Sequence, residues 1–370
     1  MSHQTHTVRL ASPGMGDEEV AAAEAVLRSG DLVQGEQVAA FEAELAAVVG
    51  TRHAVAVSSG TAALFLSLRA LGIGAGDEVI VPDFTFPATA NAVEETGARA
   101  VLVDVDLKTL NIRAEAVTAA AGERTRAVMP VDLFGRPAPW GRLLPLADGL
   151  GLEVIEDSAC ALGAELTGRF CGSFGRMGIL SFHPRKVVTT GEGGAVTTDD
   201  EELADRLRLL RNHGMQRDED GVRFASLGMN YRLSEVQAAV GRVQLRRLPG
   251  FLARRRALAA VYNEALAGAP LLLPADPPGA RHSYQAYVVV LPDTTDRRRV
   301  MQGLGARGFE TAVGTYAIHS LDYYKRKCGL ADGLFPDSTA AALRTLALPL
   351  HPGMTDEDAA SCAAALAGAL

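Results

Sequence analysis

Short apolar runs alternate with longer amphipathic stretches over the first two thirds of the chain. The apolar runs predict seven strands, at residues 54–57, 78–81, 100–105, 127–131, 153–156, 179–182 and 195–198. Helical patterns fall between most of them, which predicts a mainly parallel sheet covered by helices on both faces. The last two runs have no long helix between them, so these two strands can pair antiparallel.

The remaining third of the sequence changes to a mixed pattern. Ser234 is a suitable N-cap for a helical stretch that continues to residue 266, with an interruption near Pro249 and Gly250. A strand at 286–291 and helices at 297–308 and 356–367 follow. We therefore predict an α/β protein with a large domain over residues 1–245 and a smaller α+β C-terminal domain over residues 246–370.

Composition narrows the class of protein. The 370 residues are 48% hydrophobic and 22% charged, as in globular proteins, and the net charge of −8 argues against nucleic acid as a partner. The basic run at 254–256 is expected to solvate a helix face. An N-terminus without an apolar core and the lack of a long apolar run predict a cytoplasmic enzyme with no membrane segment. The cysteines show no metal-ligand spacing; they are Cys160, Cys171, Cys328 and Cys362.

Lys186 is the most informative residue of the sequence. It lies between the apolar stretch at 177–182 and the strand at 195–198, whereas a lysine more commonly lies on a polar helix face. Burial favours the neutral form of an amine, and a neutral amine can form a Schiff base with an aldehyde. The position of Lys186 therefore favours a catalytic role. His183, three residues earlier, is interpreted as a structural neighbour.

Asp157 ends the strand at 153–156. Ligands of open α/β sheets bind beyond the carboxyl ends of the strands, so its carboxylate is placed where a cofactor would lie. Pyridoxal-phosphate enzymes need an acid beside the pyridinium nitrogen, because a protonated ring is the better electron sink. Asp157 taken alone fits equally a cap of the following helix.

A phosphate site is predicted where the strand at 54–57 meets the helix at 61–71. The first amides of a helix are free to bind an anion, and Gly60 lets the backbone approach a phosphate closely. The alternative is a plain helix cap. Phe86, just past the strand at 78–81, either stacks on a flat ring or belongs to the core.

Together these segments resemble the DegT family of sugar aminotransferases, which are fold-type I, aspartate-aminotransferase-like pyridoxal-phosphate enzymes. The resemblance extends over residues 30–355. It implies that Lys186 forms the Schiff base, that Asp157 is the pyridinium partner and that Phe86 stacks on the ring. Related dehydratases carry His in place of this lysine, so Lys186 favours transamination.

The same resemblance implies the phosphate contacts and the assembly. The backbone amides of Gly60 and Thr61 and the hydroxyl of Ser181 would bind the phosphate. Asn230 would reach the phosphate of the neighbouring subunit, which implies a homodimer with shared active sites. Cys160, expected near the cofactor, stands where many relatives carry Gln. Two further departures are Leu162 and Asp132, each at a position where His is frequent.

The resulting prediction is an aminotransferase that moves an amino group from glutamate or glutamine, through the pyridoxamine form of its cofactor, to a nucleotide-linked keto sugar. Residues 181–194 and 282–288 look most like those of enzymes that aminate C4 of a 4-keto-6-deoxyhexose. Tyr316 and His319 would lie near the sugar, or in an ordinary surface loop. Alternatives are a 3-keto sugar, a keto-cyclitol, or a non-catalytic pyridoxal-phosphate sensor, which would leave the pairing of Lys186 with Asp157 unexplained.

Overall fold

A computed structural model of the chain describes residues 7–219, 221–329 and 333–370. The α-helices of this part are α1 Asp17–Ser29, α2 Glu36–Val49, α3 Gly60–Ala70, α4 Ala88–Glu95, α5 Ala114–Ala120, α6 Trp140–Leu150, α7 Glu201–Leu210, α8 Glu235–Ala265, α9 Arg297–Ala306, α10 Asp322–Cys328, α11 Pro336–Arg344 and α12 Asp356–Ala367. The strands are β1 His53–Val57, β2 Glu78–Pro82, β3 Phe84–Thr85, β4 Arg99–Val103, β5 Thr125–Val128, β6 Glu153–Asp157, β7 Glu165–Leu166, β8 Arg169–Phe170, β9 Met177–Ser181, β10 Gly194–Thr198, β11 Met215–Asp218, β12 Gly221–Phe224, β13 Ala280–Arg281, β14 Tyr287–Val290, β15 Ala312–Val313, β16 Tyr316–Ala317 and β17 Thr345–Leu348. Among these residues, no helix has both the length and the apolarity needed to cross a bilayer.

The central sheet is built from the seven strands that the sequence predicts, in the order β1-β10-β9-β6-β5-β2-β4. β10 is antiparallel to both of its neighbours, and the other pairs are parallel. Parallel pairing of β6 with β9 puts Asp157 beside Ile179, so both strands end at the same edge. The mainly parallel sheet and the antiparallel pairing of β9 with β10 are confirmed.

Helices cover both faces of this sheet, because alternate residues of a strand point to opposite sides. In β1, Val55 and Val57 pack with residues of α3 and α7, whereas Ala54 and Ala56 pack with residues of α2 and α8. Two strands end earlier than the sequence predicts. β5 stops before Pro130, which has no amide hydrogen for the ladder. β4 stops before Asp104, whose carboxylate accepts the backbone amides of Asp337 and Ser338.

The predicted interruption at Pro249 is wrong. α8 continues from Glu235 to Ala265 with Pro249 inside it. Proline removes one intrahelical hydrogen bond, but the buried side chains of Leu245, Leu248 and Phe251 hold the helix against the core on both sides of it. The predicted domain boundary at 245/246 therefore falls within a continuous helix, and the two-domain division stays a prediction.

The basic run on α8 is also packed differently from the prediction. Arg255 is buried, and its guanidinium donates to the backbone oxygens of Tyr284, Gln285 and Leu350. Burial lowers its pKa to about 10. Arg255 therefore fastens α8 to the segments around β14 and β17, which form the C-terminal sheet with β15. The predicted C-terminal strand and its two helices are present as β14, α9 and α12.

Candidate active site

The loop between β9 and β10 carries Lys186 at the edge where the parallel strands end. Its backbone amide donates to the carbonyl of His183, and Thr189 and Thr190 both donate to the carbonyl of Phe182. The Lys186 side chain is half-buried, and its Nζ lies 3.0 Å from Sγ of Cys160. The loop is therefore tied at both ends, and it directs the amine into the fold.

The Lys186 amine faces a cavity of about 450 Å³. This cavity is where the predicted site residues meet. Those that line it are Gly60, Thr61, Phe86, Asp157, Cys160, Ser181 and Lys186. The volume lies in the range of small-molecule and cofactor sites.

Asp157 is 4% exposed at the inner wall of this cavity. Its carboxylate accepts hydrogen bonds from Thr89 Oγ1 at 2.9 Å and from the amide of Ala159 at 3.2 Å. Burial raises the pKa of Asp157, while these hydrogen bonds and the charge of Lys186 act in the opposite direction. Residues 158–164 form turns and irregular backbone. The helix-cap alternative for Asp157 is therefore wrong.

The turn before α3 combines a helix cap with an open pair of amides. Ser59 caps the helix by accepting the amide of Ala62. The amides of Gly60 and Thr61 precede the first intrahelical bonds, and both residues line the cavity. A Cβ at Gly60 would lie 2.9 Å from Cβ of Ser181. Only glycine therefore lets these amides and the Ser181 hydroxyl approach one anion.

Phe86 is 63% exposed on the cavity wall, in contrast to Phe84, which is fully buried. The core alternative for Phe86 is therefore wrong. Phe84 and Thr85 form β3, which pairs with β16 and so brings Tyr316 opposite Thr85. Phe86 lines the same cavity as Lys186 and Asp157, and its ring gives that cavity an apolar wall.

Residues 13–367 match the DegT/DnrJ/EryC1/StrS aminotransferase family. The chain belongs to this family. It is 39% identical to the spore coat polysaccharide biosynthesis protein SpsC of Bacillus subtilis, over 96% of this chain and 95% of SpsC. DesV of S. venezuelae is 40% identical, with a TM-score of 0.89 over 95% of this chain and 94% of DesV. Spr1654 of Streptococcus pneumoniae, a putative sugar aminotransferase, is 27% identical, with a TM-score of 0.94 over 98% of both chains.

The family fixes the cofactor, and the cavity suits it. Spr1654 has been solved in PMP and PLP forms. The aldehyde of pyridoxal phosphate requires an amine, its ring nitrogen a buried carboxylate, and its phosphate a group of hydrogen-bond donors. Lys186, Asp157 and the amides at the start of α3 supply these groups on one cavity. The protein is a pyridoxal-phosphate-dependent sugar aminotransferase with the fold of type I enzymes.

Three predicted residues lie outside the cavity lining of their own chain. The exposed Asn230 bridges to Asn212, next to the β11–β12 hairpin. Tyr316 is 45% exposed on β16. His319 places Nδ1 2.6 Å from Oδ2 of Asp83, and this carboxylate raises the pKa of the histidine. Their assignment to the partner's phosphate and to the sugar stays a prediction.

Thr89, which donates a hydrogen bond to the Asp157 carboxylate, is not among the residues predicted from the sequence. Pro87 precedes α4, and Thr89 lies in the first turn of that helix, three residues after Phe86. The amide of Thr89 donates to the carbonyl of Phe86 at 3.2 Å, and the proline between them is the sequence signal for the turn that brings the two residues together. Asp132 is buried behind Asp157, accepts a hydrogen bond from Ser158 and does not line the cavity, and the sequence does not predict this position.

Proposed function

We propose that this enzyme transfers an amino group from glutamate, or glutamine, to C4 of a nucleotide-linked 4-keto-6-deoxyhexose in amino-sugar biosynthesis. The observation that carries the proposal is that Lys186, Asp157 and the α3 amides line one cavity that opens to solvent. A relative named for spore coat polysaccharide biosynthesis supports a sugar product. The assignment of C4 depends on the resemblance of residues 181–194 and 282–288 to C4-aminating enzymes.

Two side chains and two backbone amides of the cavity have distinct roles in the proposed reaction. Bound pyridoxal phosphate supplies the electron sink. Asp157 keeps the ring nitrogen protonated from a site that water reaches poorly. The Lys186 amine, which the loop directs into the cavity, would be the base that moves protons at the reacting carbons. The amides of Gly60 and Thr61 fix the phosphate and therefore the position of the ring.

A substrate panel tests this function. The holoenzyme is incubated with glutamate or glutamine and with 4-keto sugars, 3-keto sugars and a keto-cyclitol, and amination is followed by mass spectrometry. We expect amination of a nucleotide-linked 4-keto-6-deoxyhexose. A product aminated at C3, or amination of the cyclitol alone, would replace the acceptor that we propose and leave the transaminase chemistry intact.

We also propose that the working unit is a homodimer in which Asn230 serves the partner's site. The support is that Asn230 is exposed beside a hairpin region with several exposed apolar side chains, which solvent disfavours. These side chains are Val222, Phe224, Leu227 and Met229. A second copy of the chain would cover them and bring a polar amide to a phosphate that the first chain holds.

Subunit mixing tests the shared site. The inactive Lys186→Ala variant is combined with an inactive variant that carries a bulky replacement of Asn230, Asn230→Trp, under conditions that allow subunit exchange. If Asn230 reaches the partner's phosphate, the mixed dimer contains one site with both changes and one with neither, and activity returns. If Asn230 serves its own chain, every site keeps one change, and the mixture stays inactive. A fully active monomer in light scattering would contradict the dimer itself.

A further inference from the structure

Two carboxyl groups are buried together on the side of β6 that faces away from the cavity. Asp132 and Glu156 both have no solvent exposure, and Ser158, equally buried, lies between them. A thiol, Cys171, completes the cluster, in which one ligand-type atom from each of Asp132, Glu156 and Cys171 lies within 4.8 Å of the others. Two like charges at this separation in a dry site would repel each other strongly.

Most of the lone pairs of the two carboxyls are already used by hydrogen-bond donors. Glu156 accepts the backbone amides of Gly172 at 2.6 Å, Phe174 at 2.6 Å and Gly175 at 3.1 Å. Oδ1 of Asp132 accepts the amide of Ala138 at 2.7 Å and Nε1 of Trp140 at 3.0 Å. These donors leave little room for a cation, and the described residues place no Lys, Arg or His side chain in hydrogen-bond or ion-pair contact with either carboxyl.

The hydroxyl of Ser158 then determines the number of protons. Its oxygen lies 2.6 Å from Oδ2 of Asp132 and 2.8 Å from Oε1 of Glu156. A hydroxyl has one hydrogen, so it can donate to only one of these two oxygens. The other short oxygen–oxygen contact is favourable only if that carboxyl donates to Ser158 in return.

We infer that Asp132 and Glu156 hold one proton between them through Ser158, and that this singly charged pair anchors the end of β6 that carries Asp157. The hydrogen-bond chain runs from one carboxyl to the serine oxygen and from the serine to the other carboxyl. Burial raises the pKa values of both carboxyls, and the charge of Asp132 raises that of Glu156 further. Burial and the same two carboxyls also raise the pKa of Cys171, which keeps its thiol neutral.

The pair fixes Asp157 from both sides along the chain. Glu156 precedes Asp157 and Ser158 follows it, while the backbone amide of Asp132 donates to the carbonyl of Asp157 at 3.0 Å. The amide of Asp157 in turn donates to the carbonyl of Pro130 at 2.9 Å. Loss of the proton would force the two carboxylates apart, and it would thereby loosen the backbone on both sides of the acid that faces the cofactor.

Infrared spectroscopy of the holoenzyme detects the proton directly. A neutral carboxylic acid gives a carbonyl stretching band that a carboxylate lacks, and we expect this band at neutral pH. Asp132→Asn and Glu156→Gln should each remove it, because the remaining carboxyl loses its like-charged neighbour and keeps the hydrogen-bond donors that stabilise its ionised form. Asp83→Asn is the matched control: Asp83 is fully buried but faces His319, so its replacement should leave the band. No band in the wild type, or a band that survives both variants, would overturn the inference.

The pH dependence of the free energy of unfolding reports how many protons the folded pair holds. Above about pH 5 an unfolded chain ionises both carboxyls, whereas the folded chain keeps one proton, so the stability of the wild type falls as pH rises until the pair itself ionises. Asp132→Asn should remove this dependence, and the slopes of the two proteins should differ by one proton. Equal slopes would overturn the inference, as would a stoichiometric metal ion in the purified wild type that Asp132→Asn loses.

The anchoring role predicts a rescue by the conservative variant. The side-chain amide introduced by Asp132→Asn would keep an oxygen for Ala138 and Trp140 and would donate permanently to Ser158, as a protonated carboxyl does. We therefore expect Asp132→Asn to retain bound cofactor to a higher pH than the wild type, whereas Asp132→Ala should retain less at every pH. Retention that is equal in the two variants would show that the pair does not anchor the strand end.

Discussion

At the end of strand β6, two acidic residues face opposite sides of the sheet and have different surroundings. Asp157 and Glu156 are consecutive, and both are buried. Asp157 lines the cavity, where its carboxylate accepts hydrogen bonds from Thr89 and Ala159. Glu156 points to the other side of the sheet and is enclosed by three backbone amides and the hydroxyl of Ser158.

This difference separates a carboxylate that is available to a ligand from one whose hydrogen bonds lie within the fold. The Asp157 lone pairs that point into the cavity are available to a cofactor. The lone pairs of Glu156, in contrast, already accept hydrogen bonds from backbone amides. The pKa values of both acids are raised by burial, so the direction of the pKa shift does not distinguish them. The two acids are distinguished instead by the hydrogen-bond donors that surround each carboxyl group. Mutations on the two faces should therefore have different effects.

The largest effect is expected from Lys186→Ala, on the cavity face. Loss of the amine would remove both the covalent link to the cofactor and the proton carrier that we propose, and turnover should fall by about 10⁴-fold or more. Borohydride reduction of the wild type followed by peptide mapping should find the pyridoxyl group on Lys186. The matched control is Lys325→Ala on the surface of α10, which should keep full activity.

An adduct on one of the other lysines would contradict the assignment of Lys186. These are Lys108, Lys325 and Lys327. They lie outside the lining of the cavity that holds Lys186, so reduction of the holoenzyme should leave them unmodified.

A paired replacement tests the comparison itself. Asp157→Asn should lower turnover by about 10²-fold or more, because an amide cannot keep the ring nitrogen protonated, while the fold is retained. Glu156→Gln puts an amide NH₂ against backbone donors and should lower the free energy of unfolding by about 1–3 kcal/mol. Turnover and urea denaturation of both variants check this. If Asp157→Asn is near-normal in turnover and loses stability instead, the two faces do not differ as we describe.

Much of the large domain and of the cavity face could be predicted from the sequence. The seven strands of the sheet are apolar runs, and burial on both faces of a parallel sheet requires such runs. Lys186, Asp157 and Gly60 each stand where a run ends, and the ends of parallel strands meet at one edge. The chemistry of the cavity face therefore follows from local pattern combined with one topological rule.

The side of β6 that faces away from the cavity, and the helix α8, could not be predicted in the same way. Arg255 looks like a solvated residue in a basic run, and its burial depends on carbonyls of Tyr284 and Leu350 that are distant in sequence. The partner of Glu156 is Asp132, more than twenty residues away, and the pattern gives no sign that the two meet. Pro249 is a local signal for a break, and tertiary packing of α8 overrides it.

Thr89→Val removes the hydroxyl that donates to Asp157 and should have a smaller effect than either acid. The Thr89 hydrogen bond lowers the pKa of Asp157 against the effect of burial, so its loss should raise that pKa further. The role that we propose for Asp157 requires its ionised form, so activity should fall as pH drops below its pKa. We expect the acid limb of the pH–rate profile to move to higher pH. Thr89→Ser, which keeps the hydroxyl, should leave the limb in place, and an unshifted limb in Thr89→Val would show that this hydrogen bond does not control Asp157.

The smallest effect on turnover is expected from a change at Cys160, and Cys171 provides the matched comparison. Cys160 lines the cavity 3.0 Å from the Lys186 amine, whereas Cys171 is fully buried behind β6. The hydrogen bond to Cys160 orients the amine without carrying the reaction, so Cys160→Ala should lower turnover by about threefold to tenfold and leave stability unchanged. Cys160→Ser should restore most of the loss.

Cys171→Ala should do the reverse, lowering the free energy of unfolding by about 1 kcal/mol with turnover retained, because it leaves a small void in a packed site. Turnover and urea denaturation of the three variants decide this, and a drop in turnover for Cys171→Ala equal to that for Cys160→Ala would remove the distinction between the two faces.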